Sequence, residues 1–305
     1  MSKYLVRRLL QTVFVILGSV TVIFLMLRLS GDPVALMMPF DATDEMIEQF
    51  RAAYGLNDPV YIQYSRFLTR VAAGDFGTSI RFERPALELV LDRLPATLEL
   101  ALASVVLAIL LSIPVGVIAA VKRGSLYDNV CMVVSLLGQS IPTFWLGVMA
   151  VIVFAVRLKL LPTSGRGGLQ HLILPSFSLA AYSMARLVRV TRSGMLDVLG
   201  EDYIRTARSK GLREGIVIYR HALRNAAIPV VALIGYMFAA LVGGSIVIEM
   251  VFAWPGIGRL LVQAVSARDY PVAQAAVFVI SVLVTGVNFV TDMSYGYLDP
   301  RIRYE

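Results

Sequence analysis

Few residues in this 305-residue chain are of a type and spacing that could do covalent chemistry. No Gly-x-Ser-x-Gly, His-Glu-x-x-His or paired acidic motif occurs in or near its hydrophobic stretches. Cys131 is the single cysteine, so a disulfide or thiolate metal site cannot form within the chain. The two histidines, His171 and His221, flank different hydrophobic stretches and fall on opposite sides of the membrane in the topology below, so they share no metal. A Gly-x-x-x-x-Gly-Lys-Ser/Thr phosphate loop is also missing, which leaves the chain without a nucleotide motif or cofactor of its own.

What does stand out is a concentration of cations between 192 and 224: Arg205, Arg208, Lys210, Arg213, Arg220 and Arg224. Small residues, Thr206, Ala207, Ser209 and Gly211, alternate with the first of them. Cations alone fit a topology anchor against anionic lipid headgroups. The small residues add a second reading, insertion into a protein groove where backbones must approach closely. The spacing predicts a helix over 202–210 with Gly211 in the left-handed position that ends it. A second short helix is expected over 214–223, giving a basic helix-turn-helix knob.

The elements that must carry this knob are membrane helices. Of the side chains, 57% are hydrophobic and 16% charged, against about 45–50% and about 25% in ordinary soluble domains. Six stretches contain no Asp, Glu, Lys or Arg: 9–27, 100–121, 129–156, 167–185, 225–248 and 270–291. At about 1.5 Å per residue, a helix of roughly 20 residues crosses the hydrocarbon layer and satisfies its own backbone hydrogen bonds. The fourth stretch opens on Gly167, Gly168, His171 and Pro175, so its helix is expected from 172 past Arg186 to 191. The first is a retained helix, being longer than the 7–15 residues of a signal core and lacking a small-residue cleavage site. The pI of 9.6 then reflects topology and not nucleic acid, because the basic residues sit beside the hydrophobic stretches.

Lys3, Arg7, Arg8, Lys122, Arg123, the 192–224 loop, Arg301 and Arg303 lie on one side if there are six spans, which places both termini in the cytoplasm. Arg157, Lys159, Arg166, Arg259 and Arg268 oppose this and are the minority. The segment 30–95 then forms a small extracytoplasmic cap. It holds a helix over 43–54 capped by Thr43, with Met46, Ile47 and Phe50 on one face, and a second over 60–73 between Pro59 and Gly74. Val60, Tyr64, Phe67, Leu68 and Val71 share a face of that second helix.

The run Glu201-Asp202-Tyr203-Ile204-Arg205-Thr206-Ala207-Arg208-Ser209-Lys210-Gly211-Leu212, with His221-Ala222-Leu223-Arg224-Asn225-Ala226, closely resembles the coupling loop of binding-protein-dependent ABC permeases. The general importer pattern reads Glu-Ala-Ala, three residues, Gly, nine residues, then Ile-x-Leu-Pro. Ala207, Gly211 and Leu223 match it; Arg205, Thr206, His221 and Arg224 depart from it as the dipeptide, oligopeptide and nickel branch does. The resemblance extends through Gly31-Asp32-Pro33, Gly74-Asp75-Phe76-Gly77-Thr78-Ser79, Ile141-Pro142-Thr143-Phe144, Gly243-Gly244-Ser245, Trp254-Pro255-Gly256, Arg268-Asp269-Tyr270-Pro271 and Asp299-Pro300-Arg301.

That resemblance, of the first-permease (dipeptide permease B-like) type, implies an all-α integral membrane protein with six transmembrane helices in the type I importer permease fold. It implies the divisions 1–29, 30–95, 96–293 with a coupling loop at 192–225, and a tail 294–305. It implies one half of a translocation path for peptides in the bacterial inner membrane, dipeptides first with oligopeptide, glutathione or nickel as alternatives, a second homologous permease, two ATPase subunits that bind ATP and Mg, and an extracytoplasmic solute-binding protein; the alternative of another class is an ion-coupled carrier or channel. Arg205, Thr206, Ala207, Arg208, Lys210, Gly211, Arg213 and His221 are the expected ATPase-docking residues. Polar residues within membrane helices mark candidate path positions, here Gln139, Ser140, Ser183, Ser245 and Asn288, with interhelical hydrogen bonding as the alternative. Glu249 is expected at the membrane interface.

Overall fold

The computed structural model describes residues 2–29, 43–53 and 55–298. The Gly31-Asp32-Pro33 run and the 299–305 tail with Arg301 and Arg303 lie outside the described residues, as do 30–42 of the expected cap. The described chain is built of helices: α1 (Ser2–Leu29), α2 (Asp44–Ala53), α3 (Val60–Ala72), α4 (Ala86–Val121), α5 (Leu126–Ser140), α6 (Thr143–Arg157), α7 (Leu169–Leu199), α8 (Asp202–Ser209), α9 (Glu214–Gly244), α10 (Ile246–Val251), α11 (Ile257–Ser266) and α12 (Tyr270–Leu298). Four of them, α1, α4, α9 and α12, are long and apolar enough to cross a membrane, and the α5–α6 pair makes a fifth if its two bent halves form one span. Six were expected; α7, which holds the fourth charge-free stretch, is not among the five.

The stretch 129–156 does not form one straight helix. It breaks at Ile141–Pro142 and the two halves meet at 102°. Proline clashes with a helical residue before it, and Ile141 is accordingly extended, at φ −84° and ψ 124°. The helix of the second stretch opens at Ala86, inside the segment assigned to the cap, and runs through Pro95. Charge-free sequence marks only the part of a helix that lipid could surround. The short helix expected over 214–223 is instead the first part of α9, which passes through a wider-wound segment at Val217–Ala222 and continues into the fifth stretch.

Contacts divide the chain into two compact units. One comprises Ser2–Thr97 with Pro255–Thr285. Its core is Phe76, Val90, Ile257, Leu260, Val272 and the small residues Ala86, Ala273, Ala275 and Ala276. Here α3 lies on α1: the Thr21 and Tyr64 hydroxyls are 2.6 Å apart, and the Phe24 ring lies 5.2 Å from those of Tyr64 and Phe67. Buried Asp269 accepts from Ser79 Oγ at 2.5 Å, fastening the 77–85 turn, and the Thr97 hydroxyl accepts from Ile257 N–H at 2.8 Å. Both expected cap helices form close to their expected limits. Thr43 Oγ1 accepts from Met46 N–H, and Gly55 and Gly74 stand at positive φ just beyond the helix ends.

The other unit comprises Leu98–Trp254 with the end of α12 from Gly286. Its centre is α7, packed by α5, α6 and α9, with Leu187, Val188, Thr191 and Met195 buried. Gly116 on α4 permits the closest approach, since a Cβ there would sit 2.7 Å from Thr191 Cβ and 2.8 Å from the Val188 carbonyl oxygen.

Candidate functional site

Asp202 at the first turn and Arg208 at the last complement the dipole of α8. The helix ends at Lys210, where Gly211 adopts φ 72° and donates from its N–H to the Arg208 carbonyl at 2.9 Å. Ile204, Ala207, Val217 and Ala222 are buried against Val117, Ala120, Met195 and Ala226. Ala207 therefore points into the knob and seats α8 on α4, α7 and α9, while Arg205, Thr206, Arg208, Lys210, Gly211 and Arg213 are exposed and His221 is half-buried. Of the expected docking residues, only Ala207 faces inward. Its small side chain is 7% exposed within that cluster.

Ion pairs sort the knob's cations. Arg208 donates to the Glu214 carboxylate at 2.7 Å, closing the turn, and this bond raises the arginine's pKa further. Arg205 pairs with Asp202 at 3.2 Å, both fully in solvent. Among the described residues, Lys210, Arg213, Arg220 and Arg224 have no ionic partner and form the net positive surface. Sequence reasoning missed four exposed apolar or aromatic side chains in the same segment: Tyr203, Leu212, Ile216 and Tyr219. Tyr219, 59% exposed in a segment that buries Val217 and Ala222, follows from helical period alone. A basic surface set with aromatic and aliphatic side chains has the composition of a protein-binding face.

The five candidate path residues do not gather at one place. Gln139 Oε1 accepts from Arg189 Nη2 at 2.6 Å, and Ser140 donates back to the Leu136 carbonyl. Ser183 is buried on α7 and Asn288 half-buried on α12. Ser245 is fully buried, donating to Glu249 Oε1 at 3.0 Å and to the Val242 carbonyl at 3.1 Å. No hydrogen bond among the described residues joins any two of the five. Glu249, expected at an interface, is wholly enclosed between α9 and the turn after α10, where its carbonyl accepts from Trp254 N–H at 2.8 Å. No cluster of three metal-ligating side chains occurs among the described residues.

Long apolar helices with a basic, exposed knob built into one of them define a multi-pass membrane component. Residues 112–304 match the model of the family "Binding-protein-dependent transport system inner membrane component", and residues 1–101 match that family's N-terminal model. The chain belongs to this family. The permease family expected from the coupling-loop residues is thereby borne out. It is 44% identical to the oligopeptide transport system permease protein AppB of Bacillus subtilis (strain 168), over the full length of both. It is 42% identical to the glutathione transport system permease protein GsiC of Escherichia coli (strain K12), and 37% to the dipeptide transport system permease protein DppB of Alkalihalophilus pseudofirmus, each over the full length of both. A chain of the MetNI methionine ABC transporter in an inward-facing conformation superposes with a TM-score of 0.55 at 19% identity, covering 69% of this chain and 96% of that one. That likeness concerns the fold.

Proposed function

We propose that this chain is the permease subunit of an ATP-binding-cassette importer and forms half of a path for peptides across the inner membrane. The observation that carries the reading is the knob. It is seated by buried apolar contacts, presents unpaired cations beside exposed Tyr203, Leu212, Ile216 and Tyr219, and continues directly into α9. A partner ATPase that binds ATP and Mg grips Arg205, Thr206, Arg208, Lys210, Gly211, Arg213 and His221, and α9 carries the movement into the membrane. A second permease supplies the other half of the path, and an extracytoplasmic binding protein delivers the solute. Gln139, Ser140, Ser183, Ser245 and Asn288 are retained as path candidates, with Gln139 the best supported because its side chain meets a cation.

In this reading α7 is the remaining span, giving six with both termini in the cytoplasm and 30–95 outside. Its 31 residues extend over roughly 46 Å at about 1.5 Å each. Its arginines, which lower its hydropathy, meet α5 and α9, where Asp128, Gln139 and the Tyr236 ring receive them. The three relatives transport oligopeptide, glutathione and dipeptide, all peptides by chemistry, which favours a peptide over nickel. The test is reconstitution with the partner subunits. ATP-dependent uptake of a labelled peptide is expected; uptake by this chain without ATPase subunits or ATP would point instead to an ion-coupled carrier or channel.

A further inference from the structure

Arginines within membrane-crossing segments are costly and mark functional positions. α7 carries Arg186, Arg189 and Arg192 at spacings of three, so they rise along one side of the helix with neighbouring Cβ atoms about 5–6 Å apart. Only the last is answered by a carboxylate, that of Asp128, at 2.5 and 2.7 Å. Among the described residues, Arg186 and Arg189 have no acidic partner. The Arg186 guanidinium lies 5.6 Å from the centre of the Tyr236 ring, and Arg189 donates to Gln139 Oε1. Both contacts are neutral, and they leave most of the five N–H donors of each guanidinium unused.

The surroundings favour a ligand over a packing role. Arg186 is exposed and Arg189 half-buried. Gly138 brings the end of α5 close, since a Cβ there would stand 3.6 Å from Ala185 Cβ, and this places Gln139 against Arg189 just before the break at Ile141–Pro142. Three helices, α5, α7 and α9, thus present two unneutralised guanidinium forks between an amide and a phenol. The planar fork matches a carboxylate with paired hydrogen bonds, and every unmodified peptide ends in one.

We propose that Arg186 and Arg189 form a carboxylate-binding site for the transported solute, with Gln139 and Tyr236 as positioning residues. The inference rests on the peptide-permease reading. The other source of an oxyanion is a net-anionic lipid headgroup, which the experiment separates. The complete transporter, with its ATPase subunits and binding protein, is reconstituted in vesicles of phosphatidylethanolamine with and without phosphatidylglycerol. Labelled-peptide uptake and ATP hydrolysis are measured together for wild type, R186Q/R189Q and R186K/R189K.

Loss of charge-assisted hydrogen bonds predicts that the glutamine pair lowers uptake about 10- to 100-fold. Hydrolysis stimulated by the loaded binding protein should stay within about twofold, because the knob is untouched. The lysine pair, keeping charge without the fork, should recover part of the uptake. Should the double variant fail to assemble, R186Q alone, altering an exposed side chain, is expected to lose about 10-fold. Unchanged uptake, an equal fall in uptake and hydrolysis, or a defect confined to vesicles with phosphatidylglycerol would each overturn the site. Wild-type vesicles that take up no peptide would overturn the peptide reading and this inference with it, whereas a competent wild type with unaffected variants refutes the site alone.

Discussion

The knob and the body of α7 use opposite means of holding their shape. In the knob, apolar residues are inside and ions outside: Ile204, Val217 and Ala222 are fully buried while the Arg208–Glu214 and Arg205–Asp202 pairs lie in solvent. Around α7 one ion pair is inside, that of Asp128 and Arg192, where Asp128 is 2% exposed and also accepts from the Gly124 N–H. Water drives apolar groups together, so a solvent-exposed knob can be ordered by burial. Lipid offers no such drive between helices, so their positions there depend on close packing and polar contacts. Variants of the two regions should therefore differ in size of effect.

The largest effect is expected from Asp128→Ala, which leaves the Arg192 guanidinium, 23% exposed, without its carboxylate. Breaking a buried pair costs about 3–5 kcal/mol, read as a lowered unfolding temperature in detergent. Joint replacement by Leu and Met should recover much of it. Gly116→Val comes next: its side chain would collide with Thr191 and the Val188 carbonyl, an overpacking worth about 1–3 kcal/mol. Gly211→Val meets no neighbouring atom and strains only a backbone at φ 72°, for about 1–2 kcal/mol. That variant should lose peptide uptake while hydrolysing ATP, and normal uptake at normal protein level would break its proposed place in coupling. Smallest is Arg208→Ala, whose exposed pair contributes less than about 1 kcal/mol. If Asp128→Ala proved no more damaging than Arg208→Ala, the contrast would collapse.

Between α3 and α4, an acid titration sharpens the same contrast. Arg70 hydrogen-bonds Asp75 and holds its pKa below the ordinary carboxylate value, helped by the Gly77 N–H. A depressed folded pKa adds stability above the unfolded pKa, near 4, and loses it as pH falls through the folded value. Asp75→Asn should remove that acid-side decline and leave stability near neutral pH little changed, as read from thermal unfolding across the range.

Much of the knob was legible because Asp202, Ala207 and Gly211 act locally: a dipole partner, a small contact residue and a left-handed helix end are properties of short sequence. The helices α2 and α3 were legible for the same reason, through Thr43, Pro59 and Gly74. The break at Pro142 was only half legible. Hydropathy continues smoothly through 129–156, and proline shows that bending is available without showing how much. The reach of α7 was legible in part: the helix was expected from 172 past Arg186 to 191, and it runs from Leu169 to Leu199. Glu249 misled because its hydrogen-bond donor, Ser245, is a turn away and unremarkable in sequence. Arg186 and Arg189 were visible as letters; that neither meets an acid became visible only with their neighbours in place.

The joining of knob and span into one helix has a mechanical side. α9 runs 31 residues from Glu214 to Gly244, roughly 46 Å at about 1.5 Å per residue. A rod of that length tilted by about 10° at one end swings its other end by roughly 8 Å. Had the chain folded as a separate short helix, a hinge beside the knob would have absorbed such a tilt. If the knob docks as proposed, α9 as a single lever would turn a small rocking at that end into a displacement, at the opposite end, about as wide as a peptide backbone with its side chains.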